Sequence, residues 1–213
     1  MKVFLIGATG RVGSKILQEA LDRGHYMTAV ARHVESVPRH PNLVVVNGDV
    51  FDTERLAKQI GGHDAVIHSY APPRHHQDRR GEQIRATASI ILALKRSGVK
   101  RILAVGGAGT LESSPGVRLM DTPELPQEWQ SGAIATAEIK YLLETEMDLE
   151  WTFLSPSMYL RPGTRTGKFR LGTDDLLRDK DGSSRISTED YAVAMIDEME
   201  NPRHTGRRFT VGY

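Results

Sequence analysis

The sequence predicts an α/β fold: a doubly wound parallel sheet of the Rossmann kind, with a small C-terminal lobe on the substrate side. Three observations predict it. Short apolar runs rich in β-branched residues alternate with helical stripes, a glycine-rich turn joins the first run to the first stripe, and further glycines stand where later strands should end. A chain of 213 residues suits one domain over 1–213, with 157–187 as the lobe.

The elements follow in order. Lys2 to Ile6 is an apolar run ending in glycine, which reads as a strand buried on both faces. From Arg11 to Arg23 the period changes: Val12, Ile16 and Ala20, flanked by Leu17 and Leu21, make a helical stripe that Gly24 stops. Thr28 to Ala31, Leu43 to Val46 and Ala65 to His68 are the next strands, with a short helix over Thr53 to Ile60. Ile84, Ala88, Ile91 and Leu92 mark a helix closed by Gly98, and Arg101 to Val105 is a fifth strand running into Gly106-Gly107. The stretch from Ala108 to Ser131 has no period and reads as a long irregular connection of the kind that carries function. Ala133 to Met147 is helical, Trp151 to Leu154 a sixth strand capped by Ser155-Pro156, and Pro162 to Ser184 irregular. A last helix opens at Thr188 with Tyr191, Met195 and Met199 on one face, and Phe209 to Val211 closes the chain as a strand.

Composition excludes several classes. Without cysteine there is no thiol catalysis, zinc–thiolate site or disulfide. With 28 basic and 27 acidic residues, net +1, neither nucleic acid nor an anionic membrane is expected as a main partner. The basic excess lies before Lys100, which fits an anionic ligand held by the first half. No leader peptide or membrane span is visible, so a cytoplasmic protein is expected, monomeric or homodimeric. His75-His76 suggests a metal site, but neighbouring imidazoles seldom chelate one ion and no i, i+4 ligand cluster accompanies them, so no metal is expected. There is no Gly-x-Ser-x-Gly for a hydrolase and no Walker A order after Gly13.

The sharpest signal is Gly7-Ala8-Thr9-Gly10-Arg11-Val12-Gly13, between the first strand and the first helix. Gly7 permits a tight turn, Gly10 leaves room for a pyrophosphate, and Gly13 lets the helix pack against the strand while its N-terminus offers free amides. Gly7, Thr9, Gly10, Arg11 and Val12 are therefore expected at a dinucleotide. After the second strand stands Arg32, with no carboxylate to accept from a ribose 2′-OH, which points to a 2′-phosphate and to NADP(H) over NAD(H). Parallel sheets bind ligands at strand C-termini, so Asp49 is expected on the adenine amino group and Val50 on the ring face. Ser69 and Tyr70 are expected below the ribose and nicotinamide, and Gly106 and Gly107 near the reacting ring.

GATGRVG, GDV after the third strand, VGGAG after the fifth and the C-terminal DGSSRISTEDYAVAMIDEMENP resemble the atypical short-chain dehydrogenase/reductases of the NAD(P)H-binding, NmrA-like group. Within it the likeness is nearest to bacterial NADH-flavin reductases, with biliverdin reductase B more distant. The resemblance covers essentially the whole chain. It implies a Rossmann core, a nicotinamide cofactor, and a flavin or quinone-like acceptor.

The family's Tyr-x-x-x-Lys acid–base pair is absent; the position one turn before Lys140 is Thr136. That disfavours reversible alcohol dehydrogenation. Flavin reduction needs stacking and orientation more than an acid. Thr110, near the family's Ser position, and Lys140 remain as catalytic candidates, Pro156 and Ser157 by the nicotinamide carboxamide, and Tyr159 and His75 on the substrate side. The expected function is an NADPH-dependent reductase of a flavin or quinone-like acceptor. The alternative is a non-catalytic NAD(P)H-sensing regulator. Work on a nucleotide-linked sugar is disfavoured because the segment after Gly163 is short.

Overall fold

β1 (Lys2–Ile6) lies inside an eight-stranded sheet, and its apolar run is buried from Val3 onward because helices cover both faces. The computed structural model describes all residues, Met1–Tyr213. The chain continues through α1 (Gly13–Asp22), β2 (Tyr26–Ala31), β3 (Leu43–Asn47), α2 (Thr53–Ile60), β4 (Ala65–His68), α3 (Arg79–Ser97) and β5 (Arg101–Val105). A hairpin follows, β6 (Glu112–Ser114) and β7 (Val117–Arg118), then α4 (Gln127–Glu144), β8 (Glu150–Pro156), β9 (Tyr159–Arg161), β10 (Arg170–Gly172), β11 (Arg185–Ser187), α5 (Thr188–Glu200) and β12 (Arg207–Gly212).

The strand order is β10-β12-β8-β5-β4-β1-β2-β3, parallel throughout except for β10, which runs antiparallel at the edge. β1 to β3 step outward one way, and the chain then crosses back to place β4 on the other side of β1. That reversal opens a crevice at the C-terminal ends of β1 and β4. Ile6 pairs with both Val30 of β2 and His68 of β4, so three strand ends finish level there. One apolar core joins α1 and α5 to one face of the sheet, and a second joins α2, α3 and α4 to the other.

The Rossmann expectation holds, and the differences lie in the long connections. The span 108–131 is not irregular: it holds 3₁₀ turns at Ala108–Thr110 and Leu119–Asp121 and the β6–β7 hairpin, whose bend at Gly116 has φ +74°. Leu111, Leu119, Leu125 and Leu176 form a small core under it. Leu176 comes from a distant segment, so no local periodicity announces that core. α4 starts at Gln127, directly after Pro126, rather than at Ala133. Within the expected irregular span 162–184, β10 joins the main sheet through β12, while β9 and β11, which flank the span, pair with each other apart from that sheet. β8 runs through Pro156 rather than stopping at Leu154.

Candidate active site

The glycine turn is built as its spacing requires. Gly7 has φ +89°, and a Cβ there would stand 2.4 Å from the Ser69 carbonyl oxygen. A Cβ on Gly13 would lie 2.1 Å from the Gly7 carbonyl oxygen, so this glycine seats α1 against its own turn. At Gly10 the nearest obstacle is that same oxygen at 3.3 Å, and the residue lines an open cleft of about 350 Å³. α1 has no side-chain cap and no acidic residue in its first turn, and the amides of Arg11 and Val12 bond to nothing in the chain. Free amides at an uncapped helix end, facing a cleft, fit the diphosphate of a dinucleotide.

The cleft gathers most of the expected cofactor residues: Gly7, Thr9, Gly10, Arg11, Val12, Arg32, Asp49, Val50, Ser69 and Tyr70 all line it. Arg11 and Arg32 carry its cationic charge, are exposed, and pair with no carboxylate. Asp49 is the one acidic residue of the lining, and one of its oxygens accepts the Phe51 amide at 3.0 Å. Asn47 donates to the Arg32 carbonyl at 2.9 Å, tying β3 to the arginine's backbone.

Tyr70 forms the wall between β4 and α3. Its hydroxyl donates to Glu82 at 2.6 Å, and Glu82 also meets His76. Burial first, and the Glu82 carboxylate second, hold the phenol well above its usual range, so it stays protonated. Phe51 packs edge-on to Tyr70 with ring centroids 6.4 Å apart. Beneath them His68 is fully buried, accepts the Tyr70 amide at Nδ1, and approaches Thr87 Oγ1 at 3.3 Å. Burial pushes its pKa down to about 4, so it sits neutral.

Other expected residues are placed elsewhere. Thr110 is buried, and its hydroxyl and carbonyl both accept from Arg208, at 2.9 and 2.6 Å; it does not reach the cleft. Lys140 pairs with Glu144 one turn on and is likewise absent from the lining, although it shares a helix face with Thr136, which does line the cleft. Gly106 and Gly107 serve packing: a Cβ would meet the Phe153 ring at 2.4 Å and Thr136 Oγ1 at 2.5 Å respectively. Pro156 is a buried β8 residue paired with Val211, and Ser157 donates to the Val211 carbonyl at 3.0 Å. Tyr159 lines a second cavity, and His75 is exposed and lines neither. Sequence reasoning passed over Phe51 and Val105. Phe51 directly follows the GDV segment, and an aromatic at that spot was the available signal.

Fold and cleft together define a dinucleotide-binding Rossmann protein. A family model described as NAD(P)H-binding matches residues 7–202, and the chain belongs to that family. The likeness to atypical short-chain dehydrogenase/reductases read from the motifs is thereby upheld. The chain is 40% identical over 217 residues to the uncharacterized protein YwnB of Bacillus subtilis (strain 168), covering 99% of this chain and 98% of the relative. It is similar to a crystal structure named "putative epimerase" from Bacteroides thetaiotaomicron, at 45% identity and TM-score 0.92, covering 100% of this chain and 96% of that one. It is also similar to one named "putative NADH-flavin reductase" from Streptococcus pneumoniae TIGR4, at 31% identity and TM-score 0.88, covering 100% and 99%. No helix is long and apolar enough to cross a membrane.

Proposed function

We propose that the protein is an NADPH-dependent reductase of a flavin or quinone-like acceptor. The observation that carries the reading is the pair of unpaired guanidinium groups, Arg11 and Arg32, beside the end of β2 where no carboxylate stands. The turn amides take the diphosphate, Arg32 and Arg11 the 2′-phosphate, and Asp49 and Val50 the adenine edge and face. When bound, NADPH supplies two electrons and a proton as hydride, and the acceptor completes its reduction with one proton from water.

At the far end of the cleft Val105 and Thr136 form the wall. The Thr136 hydroxyl donates within its own helix, to the Gly132 and Ala133 carbonyls at 3.0 and 3.1 Å, so it is not a free acid. A wall without a titratable acid suits an acceptor protonated by solvent and disfavours alcohol, ketone or sugar-epimer chemistry. The same wall favours one second reading, a dinucleotide sensor without turnover. NADPH oxidation followed with flavin mononucleotide, riboflavin and a soluble quinone separates them. Acceptor-dependent oxidation supports the reductase; tight NADPH binding with no oxidation above background leaves the sensor.

A further inference from the structure

Beyond the cleft, a cavity of about 620 Å³ opens over β9 and β11, within the size range of small-molecule sites, and shares no lining residue with the cleft. Its lining holds two arginines and no carboxylate. Arg185 is answered by Asp179 at 2.9 Å and Asp181 at 3.6 Å. Arg161 pairs with no acid; its guanidinium lies over the Tyr159 ring, 5.0 Å from the centroid. The hydroxyls of Tyr159 and Thr164 also bond to nothing in the chain. Behind the lining stand two carboxylates already engaged: Glu189 accepts the Gly163 amide at 2.9 Å and pairs with Lys15 at 3.1 Å, and buried Asp190 accepts from the Thr166 and Gly167 amides, the Thr166 hydroxyl and the Tyr213 hydroxyl, at 2.6–2.8 Å. The cavity is thus cationic at its Arg161 end and rich in hydroxyls.

An aromatic contact ties this cavity to α4, the helix whose Thr136 lines the cleft. Tyr159 packs edge-on against Trp129, ring centroids 5.5 Å apart. Trp129 lies two turns before Thr136 on α4, a reach of about 10 Å, and Thr136 lines the cleft. An acceptor whose ring stands at the Thr136 end of the cleft can therefore extend an arm past Trp129 and Tyr159.

We infer that this cavity takes the polyhydroxylated, phosphate-bearing arm of the acceptor, with Arg161 on the phosphate. The inference rests on the reductase reading for the ring and on this cavity alone for the arm. A guanidinium with free hydroxyls beside it is matched to a phosphomonoester on a polyol, and gives a neutral chain nothing to pair with it.

The test compares binding of flavin mononucleotide and riboflavin to the full chain by flavin fluorescence quenching, at saturating NADP⁺ and without it. Flavin mononucleotide should bind at least tenfold more tightly, and inorganic phosphate should compete with it but not with riboflavin. Arg161→Gln should bring the two flavins within about twofold, while Lys168→Gln, the same charge change outside the cavity, should leave the ratio intact. Equal affinities in the native protein, no binding of either flavin, or an equal loss in Lys168→Gln would each overturn the inference. Reduction of both flavins without discrimination would sink the arm site and leave the reductase. Discrimination without turnover would sink the reductase and leave the site.

Discussion

Arg32 stands just after β2 with its guanidinium free, and under the proposed NADPH reading its replacement by alanine removes a charge-assisted contact to the 2′-phosphate. Such contacts contribute about 1.5–3 kcal/mol, so Arg32→Ala should weaken NADPH binding roughly 10- to 100-fold and leave NADH within about twofold, read by calorimetric titration. Equal losses for both nucleotides would remove the assignment. His68 sets a second test. Unfolded, it takes a proton near pH 6.5; folded, only near pH 4, because burial disfavours the charge. The stability it contributes is complete above pH 6.5 and falls by about 3 kcal/mol as pH drops to 4, since the unfolded chain binds the proton first. Urea unfolding at several pH values should show that decline in the native protein and a shallower one in His68→Gln.

At the scale of the element, α1 and its turn act as one piece. A methyl group on Gly13 would have to displace the Gly7 carbonyl, which is backbone and cannot rotate away. Gly13→Ala should therefore cost about 1–3 kcal/mol in thermal unfolding and weaken both nucleotides together, because the amides proposed to take the diphosphate move with the turn. A variant that melts like the native protein and binds normally would show that the packing is looser than these distances indicate. This element was legible from its glycines because a tight turn, a close approach and a helix seat each exclude a side chain. α4 was less so. Thr136 is its residue on the cleft, and neither Lys140 nor the preceding loop's Thr110 reaches it, which spacing from the family's Tyr-x-x-x-Lys pattern could not reveal.

Across the whole molecule, the excursion between β9 and β10 is strapped to the helices of one face. Arg165 grips Glu19 of α1 at 2.7 and 2.8 Å, the Gly163 amide reaches Glu189, and Glu189 pairs with Lys15 at 3.1 Å. Asp190 holds the strap's centre. Its burial raises the carboxyl pKa, but the bonds from Thr166, Gly167 and Tyr213 outweigh that and keep it below the ordinary 3.8. Asp190→Ala should lose about 2–4 kcal/mol, as buried donors go unmatched, and open residues 161–170 to trypsin at neutral pH while the native chain resists. Unchanged resistance would mean that Arg165 and Glu189 suffice.

The order of the seven parallel strands of the main sheet and of the five helices, the glycine turn and the cationic end of β2 were legible in the sequence alone. Each rests on a local rule: burial on both faces, exclusion of side chains by glycine, or absence of a carboxylate at one position. Which strand ends form one cleft was inferable only through the sheet rule, and the crossover beside β1 made it so. Tertiary structure alone decided that Thr110, Lys140, Pro156 and Ser157 face elsewhere, that Tyr70 is fixed by Glu82, and that Tyr159 and Arg161 line a cavity of their own. Most of those outcomes depend on partners far away in the chain, such as Arg208 for Thr110 and Val211 for Ser157, and no local pattern encodes which distant group a side chain will meet.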